Sequence, residues 1–348
     1  MYIRRALLTH FFRPLHIRAT FLAGFRPSTV RRLPQRIHAK TYATRSSKMA
    51  ENNGSPDKIE NTILRYQHDA SILTLNTKIT SFQRLSDLPE ANRNLFKAAD
   101  PDPEQDFILT TEETIFHPQG GGQPSDEGTV TILPPQTPEE NKDATSSSPP
   151  TLEMRLARHS TQNADLVLHL VRFTTASSTT NLPTPSTPII LTVNPTKRTL
   201  YSRLHTAGHI LGGAVRSCVS ASIPDFDELK ASHYPGSASC EFQGLISGDF
   251  KPAIQAKVDE IVASAEPVKI SFWGREDFER EGLERLVPEG WDWEGDGNGG
   301  KLRVVRIGEV DVYPCGGTHV ERTDLCGKVG LKKISWQKGG SRVGYTVD

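Results

Sequence analysis

His205 and His209, and more than a hundred residues later Cys315 and His319, are the side chains whose types and spacing could do chemistry in this sequence. A helix advances about 100° per residue, so imidazoles at i and i+4 stand one turn apart on one face and can meet the same ion. In the run from Val310 to Val320, Cys315 and His319 flank a Gly-Gly pair. That pair frees the backbone to turn sharply and bring thiolate and imidazole around one point. Taken singly, a histidine is usually a packed core residue or a solvated one, and a cysteine in a turn is a small apolar side chain. Taken together, the four make a Cys-His-His-His set of soft or borderline ligands that favours zinc, one ion per chain, over magnesium or calcium. A zinc protease would need Glu at position 206 as its general base, and Thr206 stands there, which excludes that chemistry. Cys218, Cys240 and Cys326 have no comparable partner spacing and read as packing residues or reduced thiols.

The histidine pair needs a helix to carry it. From Thr196 onward Leu200, Leu204, Ala207, Leu211, Val215 and Cys218 recur at helical spacing and form an apolar stripe. His205 and His209 lie about 130° or more from the centre of that stripe, beside Thr206, Ile210 and Gly213. Before this helix, short alternating runs predict strands over 71–82, 106–110, 128–133, 166–173 and 189–193, a β-rich part of small-barrel size. After it come strands near 238–242, 268–272, 302–307 and 329–336, with helices near 253–265 and 275–286. The fold class expected is therefore α+β: a small β-barrel followed by an α/β part that holds the ligands. Between strands of the barrel lies a run from Thr114 to Gly128 containing Gly120, Gly121 and Gly122. It is not a P-loop, because Lys-Ser/Thr does not follow. Its glycines let backbone approach a ligand closely, and Thr114 and Gln123 offer neutral hydrogen-bonding groups suited to an uncharged polar side chain.

Composition narrows the class further. The chain has 348 residues, 36% hydrophobic and 24% charged, so it is globular with room for one large or two ordinary domains. No run approaches the roughly 18 apolar residues of a membrane helix. Four cysteines without small-domain spacing do not make a disulfide scaffold and point to a reducing compartment. The balance of 41 basic and 41 acidic side chains averages two unlike parts. Residues 1–50 hold nine Arg, Lys40 and Lys48 and no acidic residue, which leaves 30 basic against 41 acidic, a net −11, on the rest. An Arg-rich, acid-free segment with scattered Phe and Leu has the makeup of a mitochondrial transit peptide; a disordered basic tail and a nucleic-acid arm are the other readings. A start at Met49 would leave a cytosolic form. Residues 134–150 and 174–188 are Pro/Ser/Thr-rich surface insertions, and 289–300 is an acidic, Gly-rich loop. The domains expected are thus 1–50, 58–193 and 194–348.

The motifs together resemble one family. His205-Thr206-Ala207-Gly208-His209-Ile210-Leu211 and Cys315-Gly316-Gly317-Thr318-His319 resemble the paired H-T-A-x-H-x-L and C-G-G-T-H motifs of alanyl-tRNA synthetase editing domains and their free-standing AlaX-type relatives. The Gly-rich run from Thr114 to Gly128 is similar to that of the alanyl-type barrel, which threonyl-type enzymes lack. The likeness covers roughly 60–348. His117, where many members have Tyr, and Asn194, near a position often held by Asp, depart from it. The resemblance implies a zinc-dependent hydrolase that removes Ser, and also Gly, from tRNA charged in place of Ala. It implies His205, His209, Cys315 and His319 as metal ligands and Thr114, Gln123, His205 and His209 as catalytic residues. It also implies Gly120, Gly121, Gly122, Thr206, Thr318, Lys332 and Lys333 as substrate contacts. Nothing resembles the ATP-binding core of a ligase. A non-catalytic zinc-bearing tRNA-binding module and a zinc hydrolase of an unrelated small ester are the alternatives. Lys328, Lys332, Lys333, Lys338 and Arg342, with Lys197, Arg198 and Arg203 at the helix start, read either as solvated faces or as phosphate contacts.

Overall fold

The computed structural model describes residues 61–134, 149–175, 182–295, 297–337 and 339–348, which all fall in one compact unit. The Arg-rich first fifty residues and most of the two Pro/Ser/Thr-rich insertions lie outside the described residues.

Six strands close into a barrel: β1 (Thr74–Arg84), β2 (Asp106–Thr111), β3 (Gly128–Ile132), β4 (Thr151–His159), β5 (Val167–Phe173) and β6 (Pro188–Val193). They run in the order β1-β2-β5-β4-β3-β6, and β6 returns to pair with β1. Closure leaves no open edge. Alternate residues point inward, so Phe107, Leu109, Val130, Leu152, Met154, Val171, Ile189 and Leu191 fill the interior. β2 is buried along its whole length because its outer residue Ile108 is covered as well, by Leu85, Leu88 and Phe96. That accounts for its unbroken apolar reading. β4 was not apparent from sequence: it begins directly after an insertion, and a bulge between Met154 and Leu156 breaks its alternation.

The barrel leads into α1 (Pro195–Val219). Asn194 caps it, its side chain accepting the Lys197 N–H at 3.1 Å, with Pro195 at the first position, where proline is pre-set for a helix. The apolar stripe packs on a four-stranded sheet in the order β12-β13-β8-β7, made of β7 (Asp227–Ser232), β8 (Ser239–Gln243), β12 (Val329–Gln337) and β13 (Gly340–Val347), and on α2 (Lys251–Ala263). The opposite face is no less buried: Thr206 and Ile210 are as enclosed as Ala207 and Leu211. A second sheet joins β9 (Val268–Trp273), β10 (Leu302–Ile307) and β11 (Asp311–Pro314). α3 (Arg275–Glu281) packs beside it and stops short of the expected end, because Gly282 turns into the left-handed region at φ 65°. The acidic, Gly-rich segment is anchored rather than loose, since Trp291 and Trp293 pack against Trp273 and Phe278 and Trp291 Nε1 donates to Gly300 O at 2.8 Å.

The basic residues at the start of α1 are not a solvated cluster. Arg198 is 3% exposed and its guanidinium lies on Asp126 of the Gly-rich segment, with Nη2 at 2.6 Å from Oδ2. It also donates to Ile115 O and Ala70 O, at 2.5 and 2.6 Å. Arg203 is spent on the carbonyls of Cys326 and Asp348, and Lys197 pairs with Glu127. These cations staple the helix to the barrel and to the chain's end.

Candidate metal centre

α1 carries His205 and His209, and the turn that leaves β11 carries Cys315 and His319. One ligand atom from each of the four lies within 4.8 Å of the others. Cys315 Sγ is 3.3 Å from His205 Nε2 and 3.4 Å from His319 Nε2. The outward-facing nitrogens are held too. His205 Nδ1 lies 2.7 Å from Gln123 Oε1 and His209 Nδ1 3.2 Å from Asp311 Oδ2. Both oxygens only accept, so each Nδ1 carries a proton and each Nε2 is turned toward the centre. The Thr206 hydroxyl stands 3.2 Å from His319 Nδ1. Oriented imidazoles around one sulfur are the arrangement that a soft or borderline divalent cation requires. Burial disfavours an imidazolium at His209, but Asp311 and the Cys315 sulfur outweigh it and lift its pKa to about 10. Burial likewise pushes the Cys315 thiol up, and His209 reverses this, so the thiol lies below its ordinary value.

The Gly-rich segment reaches the centre through Gln123. Its Oε1 accepts from His205 Nδ1 and from the Thr318 N–H at 3.0 Å, and its Nε2 donates to Thr318 Oγ1 at 2.9 Å. Ser202 Oγ donates to the same Thr318 oxygen at 2.8 Å. One amide therefore ties the barrel to both ligand motifs. The contact requires glycine at 317, where a Cβ would lie 2.1 Å from His205 Cε1 and 2.8 Å from Gln123 Oε1. Gly122 sits at φ +78°, and a Cβ there would stand 2.4 Å from Ala231 O, so the glycine run turns tightly against β7.

Residues 302–344, spanning β10 through most of β13, match the threonyl and alanyl tRNA synthetase second additional domain. Over 244 residues the chain is 25% identical to the alanyl-tRNA editing protein AlaX-L of Pyrococcus horikoshii, covering 68% of this chain and 50% of that one. The chain therefore resembles an alanyl-tRNA editing protein over about two thirds of its own length. It is also 28% identical over 249 residues to the alanine–tRNA ligase of Methanosphaera stadtmanae, and 30% over 146 residues to that of Thermotoga maritima. It spans about half of the AlaX-L protein and a quarter or less of these ligases: 50%, 24% and 16%.

The motif residues are distributed unevenly about the centre. Gln123, Thr206 and Thr318 touch ligands or the groups that hold them. Thr114 pairs through the barrel instead. It stands in a two-residue parallel pairing with Leu64, and its hydroxyl lies 2.9 Å from His169 Nε2 and accepts the Phe116 N–H at 3.1 Å. Thr114→Val, which removes a hydroxyl from a fully buried pair, is expected to lower stability by about 1–3 kcal/mol and leave metal content unchanged. Chemical denaturation with metal analysis checks this, and lost metal at unchanged stability would return Thr114 to the centre. Lys332 and Lys333 are exposed on β12, Lys332 Nζ donating to Gly236 O at 2.9 Å.

Two residues beside the centre went unread in the sequence. Asp311, four positions before Cys315, could have been found as a carboxylate near a ligand motif. His233 has no motif at all. It stacks on His205 with ring centroids 4.1 Å apart, and its Nδ1 is 2.7 Å from the Tyr345 hydroxyl, which donates to Leu204 O. That fixes the proton on Nδ1, and burial lowers its pKa to about 3. His117 is buried too, its ring edge-on to Tyr66 and its backbone N–H donating to Asp126 Oδ2 at 2.7 Å.

Proposed function

We propose that this chain is a trans-editing aminoacyl-tRNA hydrolase that removes serine, and also glycine, from tRNA for alanine at a zinc-containing site. The observation that carries the reading is the convergence of His205, His209, Cys315 and His319 within 4.8 Å, in a chain that resembles an alanyl-tRNA editing protein. A pocket built for the methyl of alanine cannot strongly reject the same group bearing a hydroxyl, nor exclude a smaller one by size, so a separate hydrolytic site has a physical use. The four residues would hold zinc, which when bound supplies a Lewis acid for the ester carbonyl and a fixed point for orienting the acyl end. Gln123, Asp311 and Thr206 hold the three imidazoles in register, so that each turns its Nε2 to the centre. An aminoacyl ester is already labile, so positioning supplies much of the required rate.

Hydrolysis of Ser-, Gly- and Ala-charged tRNA for alanine tests the reading. The expected result is release of Ser and Gly with Ala spared. Binding without release would instead make the chain a zinc-bearing tRNA-binding module, and release from a model ester alone an unrelated hydrolase.

For the body of the tRNA we assign the exposed Lys332 and Lys333 to phosphates. Reversing both to Glu is expected to weaken all tRNAs alike and reduce the slope of affinity against salt by about two ion equivalents, with the ratio of Ser to Gly release unchanged. An unchanged salt slope would show that these lysines are only solvated. Residues 1–50 we read as directing mitochondrial import, with initiation at Met49 giving a cytosolic form. A reporter fused to residues 1–50 is expected in mitochondria; its staying in the cytosol would refute the address.

A further inference from the structure

His233, in the turn after β7, belongs to neither ligand motif, and the chemistry above does not use it. Its ring nevertheless lies nearer to His205 than the other ligand imidazoles do. The His233 and His205 centroids are 4.1 Å apart with planes 20° from parallel, against 4.6 Å for His205 with His319 and 5.3 Å for His205 with His209. An imidazole needs two restraints before its Nε2 is aimed. The hydrogen bond between His205 Nδ1 and Gln123 fixes one edge of the ring, but the torsion about Cβ–Cγ has broad wells, so the plane can still rock about that edge. A second ring stacked against it removes that freedom.

His233 is itself held from three directions. Its Nδ1 donates to the Tyr345 hydroxyl of β13 at 2.7 Å, and that hydroxyl donates to Leu204 O, one residue before His205. Its backbone N–H donates to Gly122 O at 2.8 Å, which ties it to the Gly-rich segment that also carries Gln123. The third restraint is the space left by Gly208, between the two histidines of the helix motif. A Cβ at 208 would lie 2.7 Å from His233 Nδ1 and 2.8 Å from Tyr345 Oη, so any side chain there would displace the ring. Glycine at this position makes room for His233.

We propose that His233 is a positioning residue that sets the plane of His205 and thereby the aim of its Nε2 at the metal centre, with Tyr345 and Gly208 keeping it in place. The inference rests on the reading of the four Cys and His residues as a metal-holding site. His233 supplies no ligand atom to that group and acts only through His205. A metal site loses affinity when its ligands wander by more than about 10–20° from the productive geometry, and partners that orient a ligating imidazole are worth about 10–100-fold.

The test uses the full-length chain, with zinc titrated against a chromophoric chelator. His233→Asn keeps an N–H near the place of Nδ1 but removes the stacked ring, and Tyr345→Phe keeps both rings but removes the hydroxyl between them. His233→Asn is expected to bind zinc about 10–100-fold more weakly, and Tyr345→Phe to lose less in the same direction. kcat on charged tRNA should fall in His233→Asn with KM little changed. Thr114→Val, destabilising but remote from the ligands, is the reference: a His233→Asn protein that loses no more zinc affinity than Thr114→Val would show that His233 only fills space. Ring signals of isotope-labelled histidine in the metal-free chain read the placement without an ion. Those of His205 are expected to shift and broaden in His233→Asn while those of His169, inside the barrel, stay; unchanged His205 signals would overturn the assignment. Should His233→Asn fail to fold, Tyr345→Phe carries the test, and wild-type zinc affinity there would overturn it. If wild type binds zinc and hydrolyses charged tRNA while His233→Asn is unchanged in both, the positioning role falls and the hydrolase stands. If His233→Asn loses zinc affinity but wild type hydrolyses nothing, the positioning role stands and the hydrolase falls. A wild type that takes up no zinc removes the metal site, and the positioning role with it.

Discussion

Cys315→Ala is expected to lose its zinc on dialysis while the wild type keeps about one ion per chain. Cys315 supplies the only sulfur and the only negative charge among the four ligands, and its Sγ sits 3.3 and 3.4 Å from the Nε2 atoms of His205 and His319. Removing an outer partner of a ligating imidazole costs about 10–100-fold in affinity, so removing the thiolate should cost more than about 100-fold. Without it, three imidazoles face each other, and the carboxylate of Asp311 stands only behind His209 rather than among the ligand atoms. Elemental analysis of both proteins after dialysis against a weak chelator reads the result. Equal zinc in the two would remove Cys315 from the site, and with it the reading of the Cys-Gly-Gly-Thr-His turn as a ligand motif.

Arg198→Met is the second large effect, with an expected loss of about 3–5 kcal/mol of folding stability. The Arg198 and Asp126 side chains are 4% and 0% exposed. Nε of Arg198 lies 3.1 Å from both Asp126 oxygens. Taking the cation away leaves a buried carboxylate whose remaining help is the His117 N–H, and leaves the Ala70 and Ile115 carbonyls without their donor. Arg198→Lys should rescue little, because one ammonium cannot span acceptors on three segments. The same pair fixes the Gly-rich segment against α1, so metal affinity should fall in parallel as Gln123 loses its register with His205. Urea unfolding measures the first effect and metal titration the second. A stability loss below about 1 kcal/mol would mean that the pair behaves as a hydrated surface bridge.

The sequence alone picked out the candidate ligands that the fold brings within 4.8 Å of one another, because metal chemistry restricts both the residue types and their local spacing. Two imidazoles one helical turn apart, and a thiolate and imidazole around a Gly-Gly turn, are local patterns that survive being read in one dimension. The barrel strands with clean alternation and the long helix were legible for the same reason: period 2 and period 3.6 are written in neighbouring residues. Strands β4, β7, β11 and β13 were not. β4 is bulged, β11 has four residues, and β13 carries two glycines. Their pairing is decided by partners distant in sequence. Tertiary structure alone decided what surrounds the ligands. Gln123 arrives at His205 from 82 residues away and Asp311 at His209 from 102. His233 stacks on His205 with no pattern to announce it, while Arg198, a cation at a helix start, turns inward to a carboxylate 72 residues upstream. A hydrogen bond or ion pair needs only one donor and one acceptor within reach, and which ones come within reach is a property of the packed chain.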